Sequence, residues 1–325
     1  MRNEYFKIYD LQKYTGSNRT RFLGSNKSQP ILQNISLNIY ENQTLGIIGE
    51  SGSGKTTLGL CLARLKKIDA GRIIYKGRDI TYLPYKNLKS FRRNVQVIFQ
   101  NPAMVLNPVH TVATILAEPL SVIMNYPKSE INDRIARLLN QVGLSTDVMF
   151  RYPDQLSGGQ KQRVAISRAL AVDPEFIIAD EPASSLDADL KQKIIGLLME
   201  LKDNFGLSLL IISHDLKLVA RIADRIAVMH KGSIVEHSSV EQIVNHPRHV
   251  HTKTLLSVAN PFPKFGKNDI SGKPSRFISV PRKEEHIKLH LKKNPADRSD
   301  LKELCTDTCN PITGYTWLPK SNRFK

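Results

Sequence analysis

Between Ile31 and Leu45, the apolar residues Ile35, Leu37 and Ile39 take every second position, which predicts a half-buried strand. Residues 71–75 and 76–80 read as a further strand pair with Lys76-Gly77 at the turn, so a small antiparallel sheet is expected. The run Thr44-Leu45-Gly46-Ile47-Ile48 is apolar almost throughout and predicts a strand buried on both faces. Glycine punctuation follows, and then residues 57–65 with helical character, which makes a strand, loop and helix unit. Residues 176–179 and 209–212 predict two more buried strands. Between them Leu190, Ile194, Leu197, Leu198 and Leu201 recur at helical spacing. This alternation implies an α/β fold with a parallel core.

A helical subdomain is expected to interrupt that core over about residues 101–170. Within it residues 111–170 read as mostly helical, with Ile131, Ile135, Leu138, Leu139 and Val142 on one side of an amphipathic segment. Residues 226–229 and 233–236, separated by His230-Lys231-Gly232, predict a late hairpin. Past about residue 261 the chain is rich in Lys, Pro, Ser and Asn and loses periodicity. The expected division is therefore one domain over 1–260 and a poorly ordered basic extension over 261–325.

Charge refines the division. The 325 residues hold 47 basic and 30 acidic side chains, a net +17, and about +9 of it falls on residues 245–325 against about +4 on residues 31–244. The nearly balanced middle argues against a broad nucleic-acid groove there. No apolar run approaches the roughly 18 residues needed to cross a bilayer, and the opening MRNEYFKIYD lacks the apolar core of a signal peptide, so a cytosolic protein is expected. Three cysteines, Cys61, Cys305 and Cys309, are too few for a disulfide scaffold and fit a reducing compartment. Cys61 lies in the helix after the glycine-rich loop and is expected to be a core thiol.

Chemistry concentrates in three segments. Gly49-Glu50-Ser51-Gly52-Ser53-Gly54-Lys55-Thr56 satisfies G-x-x-x-x-G-K-[ST] between a buried strand and a helix, the context the motif requires. Its glycines let successive N–H groups face an anion, Lys55 neutralises outer phosphates, and Thr56 can reach a magnesium ion, with Thr57 next in the helix. Phe176-Ile177-Ile178-Ala179-Asp180-Glu181-Pro182 delivers two carboxylates to the C-terminal end of a strand, where ligands sit in open α/β sheets. Asp180 suits a magnesium ligand acting through water, and Glu181 would orient or deprotonate an attacking water. Leu156-Ser157-Gly158-Gly159-Gln160 precedes an apolar helix and makes a second phosphate cradle. One nucleotide does not need two such cradles on one chain, so a head-to-tail pair is expected, each second cradle closing over the other chain's glycine-rich loop.

In these motifs and their order the sequence resembles an ATP-binding-cassette (ABC) nucleotide-binding subunit, with Walker A, Walker B and LSGGQ signature segments intact. The resemblance covers about residues 31–243. It implies a P-loop NTPase with a RecA-like parallel-sheet core, an antiparallel β-subdomain and an inserted helical subdomain. It also implies ATP and Mg2+ as ligands. Gln100, after Val97-Ile98-Phe99, matches the Q-loop, where it would reach the magnesium ion and link nucleotide to a membrane partner. Ser185-Leu186-Asp187 matches the D-loop, by which Asp187 would signal across the dimer, and His214 matches the H-loop, by which it would contact the γ-phosphate. Tyr14 is the nearest candidate for the aromatic that stacks on adenine in this family, with local packing at a strand end as the alternative.

Gln100-Asn101-Pro102, Leu106-Asn107-Pro108 and Ala117-Glu118-Pro119-Leu120 further resemble the ATPases of oligopeptide and dipeptide importers, and Arg151-Tyr152-Pro153 favours their F-type subunit. His246-Pro247-Arg248-His249-Val250-His251-Thr252-Lys253 resembles that group's HP-x-HPYTK segment, with Val250 and His251 replacing the usual Pro and Tyr. The resemblance implies an ATP-hydrolysing subunit peripheral to the cytoplasmic face of the inner (plasma) membrane. Its partners would be two membrane-spanning permease subunits, a second ABC ATPase, a substrate-binding receptor protein and, indirectly, peptide. Nucleic acid is not expected as a partner. Import of nickel or another small solute is the alternative within transport, and a non-transport ABC ATPase acting on nucleic acid or ribosomes is the alternative outside it. In the tail, Cys305 and Cys309 fall short of the four thiolates an iron–sulfur centre usually needs. With His286 and His290 they complete a Cys2His2 zinc set on paper, against incidental side chains in a Lys-rich tail.

Overall fold

The computed structural model describes residues 3–15 and 29–258, all within one compact unit, Met1–Val280. The extension expected over 261–325, with His286, His290, Cys305 and Cys309, lies outside the described residues.

Strand β1 (Glu4–Tyr14) pairs antiparallel with β2 (Pro30–Tyr40), Ile8 standing opposite Leu37 and Leu11 opposite Ile35. β3 (Thr44–Gly49) runs into the glycine-rich loop and α1 (Lys55–Leu62). β4 (Ala70–Tyr75) then pairs with β1 and turns through Lys76 and Gly77 into a short β5 (Arg78–Asp79), completing a sheet of order β2-β1-β4-β5. The strand expected over 76–80 is shorter because side chains take over the ladder. Thr81 Oγ1 accepts from the Ile73 N–H, and Asp79 accepts from the Thr81 N–H, both at 2.8 Å.

After α2 (Lys89–Asn94) and β6 (Val95–Ile98), the chain enters the helical insertion of α3 (Val112–Val122), α4 (Lys128–Gln141) and α5 (Gly158–Leu170). α4 buries Ile135, Leu138 and Leu139 completely, as its amphipathic spacing requires. Residues 142–157 are less helical than expected: Gly143 takes a left-handed φ of 68° that stops α4, and Pro153 opens only a single tight turn. The chain closes with β7 (Phe176–Asp180), α6 (Ala188–Phe205), β8 (Ser208–Ser213), α7 (Leu216–Ile222), β9 (Arg225–His230), β10 (Ser233–Ser239), α8 (Val240–Asn245) and α9 (Val250–Val258).

The larger sheet has the order β10-β9-β3-β8-β7-β6, with every neighbouring pair parallel except β10 with β9. Its central strands are apolar at successive positions because both faces are covered. Ile177, Leu209, Ile211 and Val228 join a core with the inserted helices, α6 and α7, while Phe176, Leu210, Ile212 and Met229 join a core with α1 and the smaller sheet. In the second core Tyr5, Phe6, Tyr75, Phe91 and Phe176 form an aromatic cluster, with neighbouring ring centroids 5.0–6.2 Å apart. Cys61 is fully buried there, and burial pushes its thiol pKa up to about 11, as suits a core residue.

Candidate functional site

Strand order assembles the site. β3 lies beside β8 and β8 beside β7, with Ile48 opposite Ser213 and Asp180 opposite Ile212. Three loops separated widely in sequence therefore leave the same edge side by side, the edge at which parallel sheets bind ligands.

The first loop owes its path to glycine. Gly54 has φ 101°, and a Cβ there would lie 2.8 Å from the Ile31 carbonyl oxygen and 2.9 Å from Leu32 Cδ2. A Cβ on Gly49 would stand 2.2 Å from the Met229 carbonyl oxygen. The loop is braced from outside by the Gly232 N–H, which donates to the Ser53 carbonyl at 3.1 Å. Within it Lys55 Nζ donates to the carbonyls of Gly49 and Glu50, both at 2.8 Å. Burial pushes the Lys55 pKa down, against the pull of Glu181, Asp180 and Glu50. Ser53 Oγ is buried without a hydrogen-bond partner.

Thr56 Oγ1 donates to Asp180 Oδ1 at 3.1 Å, so α1 and β7 bring a hydroxyl and a carboxylate together. Asp180 is 6% exposed, and burial raises its pKa, with the Glu181 charge adding to the rise while Thr56 and Lys55 oppose it. An unpartnered hydroxyl, a lysine turned onto loop carbonyls and paired oxygen donors fit a polyphosphate and a hard cation such as Mg2+.

Glu181 departs from the strand with φ 48°, in the left-handed region that costs a non-glycine residue energy. Its own N–H still donates to the Ile212 carbonyl at 2.9 Å. The turn directs its carboxylate to His214, whose main-chain N–H lies 2.9 Å and whose Nδ1 lies 2.7 Å from the same Oε1. The His214 side chain is 64% exposed and that of Glu181 12%.

The signature segment sits at the start of α5. Ser157 Oγ accepts from the Gln160 N–H at 3.3 Å, and Gln160 Oε1 accepts from the Ser157 N–H at 3.0 Å, a reciprocal cap. Gly158 and Gly159 face Leu186 and Leu190, so this cradle rests on the turn that carries Asp187. Asp187 caps α6 through the Leu190 N–H at 2.9 Å. Gln100 follows β6 and is exposed. Tyr14 ends β1, its hydroxyl donating to Gln12 Oε1 at 2.9 Å, and residues 16–28 beyond it lie outside the described residues.

Two contacts were not foreseen. The Glu181–His214 pairing joins residues given separate tasks. Lys191 donates to Asp215 at 2.5 Å and ties the first turn of α6 to the start of α7, beside His214. Burial works against the Asp215 carboxylate, but Lys191 and the Leu218 N–H hold its pKa below the usual range. No local signal in the sequence marks this pair.

The fold and the loops at its sheet edge define a P-loop nucleotide-binding ATPase. The family profile described as ABC transporter matches residues 32–184. The oligopeptide transport ATP-binding protein AppF of Bacillus subtilis is 44% identical over 216 residues, 66% of each chain. The oligopeptide transport ATP-binding protein OppF of Streptococcus mutans is 45% identical over 232 residues, 70% of this chain and 75% of that relative. The dipeptide transport ATP-binding protein DppF of Escherichia coli is 40% identical over 242 residues, 74% and 72% of the two. Among solved structures, a dimeric post-hydrolysis state of the ATP-binding cassette MJ0796 bound to ADP and Pi superposes with TM-score 0.63 at 30% identity, covering 72% of this chain and 98% of that one. The cbiO1 protein of Clostridium perfringens, part of the ABC transporter complex cbiONQ, gives 0.64 at 26% identity, covering 75% and 92%. The chain belongs to the ABC transporter family, as an ATP-binding ATPase subunit.

Proposed function

We propose that the protein energises uptake of oligopeptides or dipeptides across the cytoplasmic membrane by hydrolysing ATP. The observation that carries the catalytic part is the Glu181–His214 pair beside the Thr56–Asp180 pair, at the ends of adjacent strands. The relatives named for peptide transport support the cargo.

In this reading the N–H groups of residues 49–56 cradle the ATP phosphates and Lys55 leaves its loop carbonyls for the outer phosphates. Thr57 extends the cradle. Mg2+, when bound, would supply charge neutralisation for the leaving diphosphate, and Thr56, Asp180 and Gln100 are the residues that would hold it. Glu181 orients and deprotonates the water in line with the terminal phosphoryl group, and His214, positioned by Glu181, contacts that group. Tyr14 is the candidate to stack on adenine.

The second cradle, Ser157-Gly158-Gly159-Gln160, closes over the glycine-rich loop of a partner cassette, with Asp187 at the seam. The exposed Val109, Phe150 and Tyr152 flank the start of α3, where the Val112 N–H donates to the Arg151 carbonyl at 2.9 Å. They offer apolar surface to two membrane-spanning subunits, which in turn receive peptide from a receptor protein. No helix among the described residues is long and apolar enough to cross a membrane, so in this reading the chain is held at the cytoplasmic face by those subunits.

A mild-detergent pull-down of the tagged chain from native membranes tests the assembly. Retention of two multi-span proteins, a second cassette and a peptide receptor is the expected result. Retention of ribosomal proteins or nucleic acid in their place would keep the ATPase and overturn the transporter.

A further inference from the structure

His230 and His251 lie 21 positions apart in the sequence, yet their ring centroids are 3.9 Å apart with the planes inclined by 39°. Glu50 of the glycine-rich loop completes a cluster in which one ligand-type atom from each residue lies within 4.8 Å of the other two.

The backbone fixes all three. β3 and β9 pair Gly49 with Met229, so Glu50, the first residue after β3, and His230, the last of β9, stand side by side at the sheet edge. The Gly232 N–H bond to the Ser53 carbonyl holds the β9–β10 turn against the loop. His251 arrives on α9, whose approach is pinned to β10 because the two Glu236 carboxylate oxygens accept from the N–H groups of Arg248 and His249 at 2.9 and 3.0 Å. The His251 N–H donates in turn to His249 Nδ1 at 3.1 Å.

His251 is 8% exposed, and its Nε2 is buried with no hydrogen-bond partner. A buried ring nitrogen left unpaired, a second imidazole against it and a carboxylate within reach make a donor set suited to one cation. We propose that Glu50, His230 and His251 bind one divalent transition-metal ion of the zinc type. Two imidazoles and a carboxylate are the ligands of a tetrahedral site that keeps one position for water. Tetrahedral ligands about 2.0–2.2 Å from an ion stand roughly 3.3–3.6 Å from one another. Closing from at most 4.8 Å takes at most about 1.5 Å of side-chain movement, shared between the exposed Glu50 and the half-buried His230. The ion staples α9 to the glycine-rich loop. The site shares Glu50 with the phosphate-binding loop, but through that residue's carboxylate and not its main-chain N–H, so zinc binding without nucleotide is read apart from ATP hydrolysis.

The test uses the full chain, stripped with chelator and free of nucleotide, titrated with Zn2+ against a chromogenic chelator. One zinc per chain is expected in the wild type and in a Cys305→Ser/Cys309→Ser variant. Loss of at least about 100-fold in affinity is expected in His251→Asn and in the half-buried His230→Gln, because deleting a ligand costs more than deleting its supporting hydrogen bond. X-ray absorption of the zinc-loaded wild type should show imidazole and oxygen scattering without zinc–sulfur scattering at about 2.3 Å. The last reading needs no variant to fold. Absence of stoichiometric zinc, wild-type affinity in both histidine variants, or sulfur in the zinc shell would each overturn the site.

Discussion

Oε1 of Glu181 engages His214 twice, through the main-chain N–H at 2.9 Å and ring Nδ1 at 2.7 Å. With Glu181 ionised the ring nitrogen is the donor, which puts a proton on Nδ1 and fixes the ring. The contact explains the left-handed φ of 48° at Glu181. The backbone turns sharply so that one carboxylate, 12% exposed, meets both the neighbouring strand end and the site.

The pair predicts different outcomes for two replacements. Glu181→Gln keeps an oxygen to accept the His214 N–H and loses the base, so nucleotide binding persists while turnover falls on the order of 100-fold or more. Glu181→Ala also frees the ring and should lower nucleotide affinity as well. Equilibrium binding of an ATP analogue beside single-turnover hydrolysis separates the two.

Because Glu181 positions His214, their losses should not add. His214→Ala alone is expected to slow hydrolysis on the order of 100-fold. The double variant His214→Ala/Glu181→Ala, in which the ring is already freed by the loss of the carboxylate, should be little slower than Glu181→Ala alone. Steady-state phosphate release over the four proteins of the cycle measures this, and full additivity would separate the residues.

Asp180 is held with a raised pKa by burial and by Glu181, so its charge is a cost to the nucleotide-free fold. Stability from this group is greatest where Asp180 is protonated and is lost as pH rises through its folded pKa. Asp180→Asn should therefore raise the melting temperature of the nucleotide-free protein at pH 7, with the gain shrinking as pH falls into the carboxylate range. The same variant should lose stabilisation by Mg·ATP. Thermal melting across pH, with and without Mg·ATP, reads both effects.

His237 gives the opposite dependence. Burial and the facing Arg225, whose Nε donates to His237 Nε2 at 3.2 Å, push its pKa down to about 4 from 6.5. The unfolded chain takes up a proton below pH 6.5 that the folded protein refuses until about pH 4, so stability drops across that window and is complete above it. The loss is at most about 3 kcal/mol and smaller where solvent screens the pair. His237→Gln keeps an acceptor for Arg225 and should flatten denaturation midpoints between pH 6.5 and 4.

The parallel core was legible because strands covered on both faces, such as Thr44–Gly49 and Ser208–Ser213, are apolar almost throughout, with no polar residue between their ends. β1 was hidden from periodicity. Tyr5 and Phe6 are both buried, and Asp10 at φ 44° shifts the register, so its apolar residues do not keep a period of two. The glycine-rich loop and Asp180-Glu181 announced themselves because their chemistry is local. The contacts of Glu181 with His214, Lys191 with Asp215 and His230 with His251 depend on strand order and turn geometry, which no single segment contains. The replacement of the usual Tyr by His251 was the one sequence signal near the last of these.

The central claim is that ATP hydrolysis at Glu181 drives peptide uptake. It is tested most directly by uptake of a labelled oligopeptide in cells lacking the chain, complemented with wild type or Glu181→Gln at equal abundance. Uptake restored by the wild type and absent with Glu181→Gln is the predicted result. Equal uptake in both, or uptake unchanged by removing the chain, would contradict it.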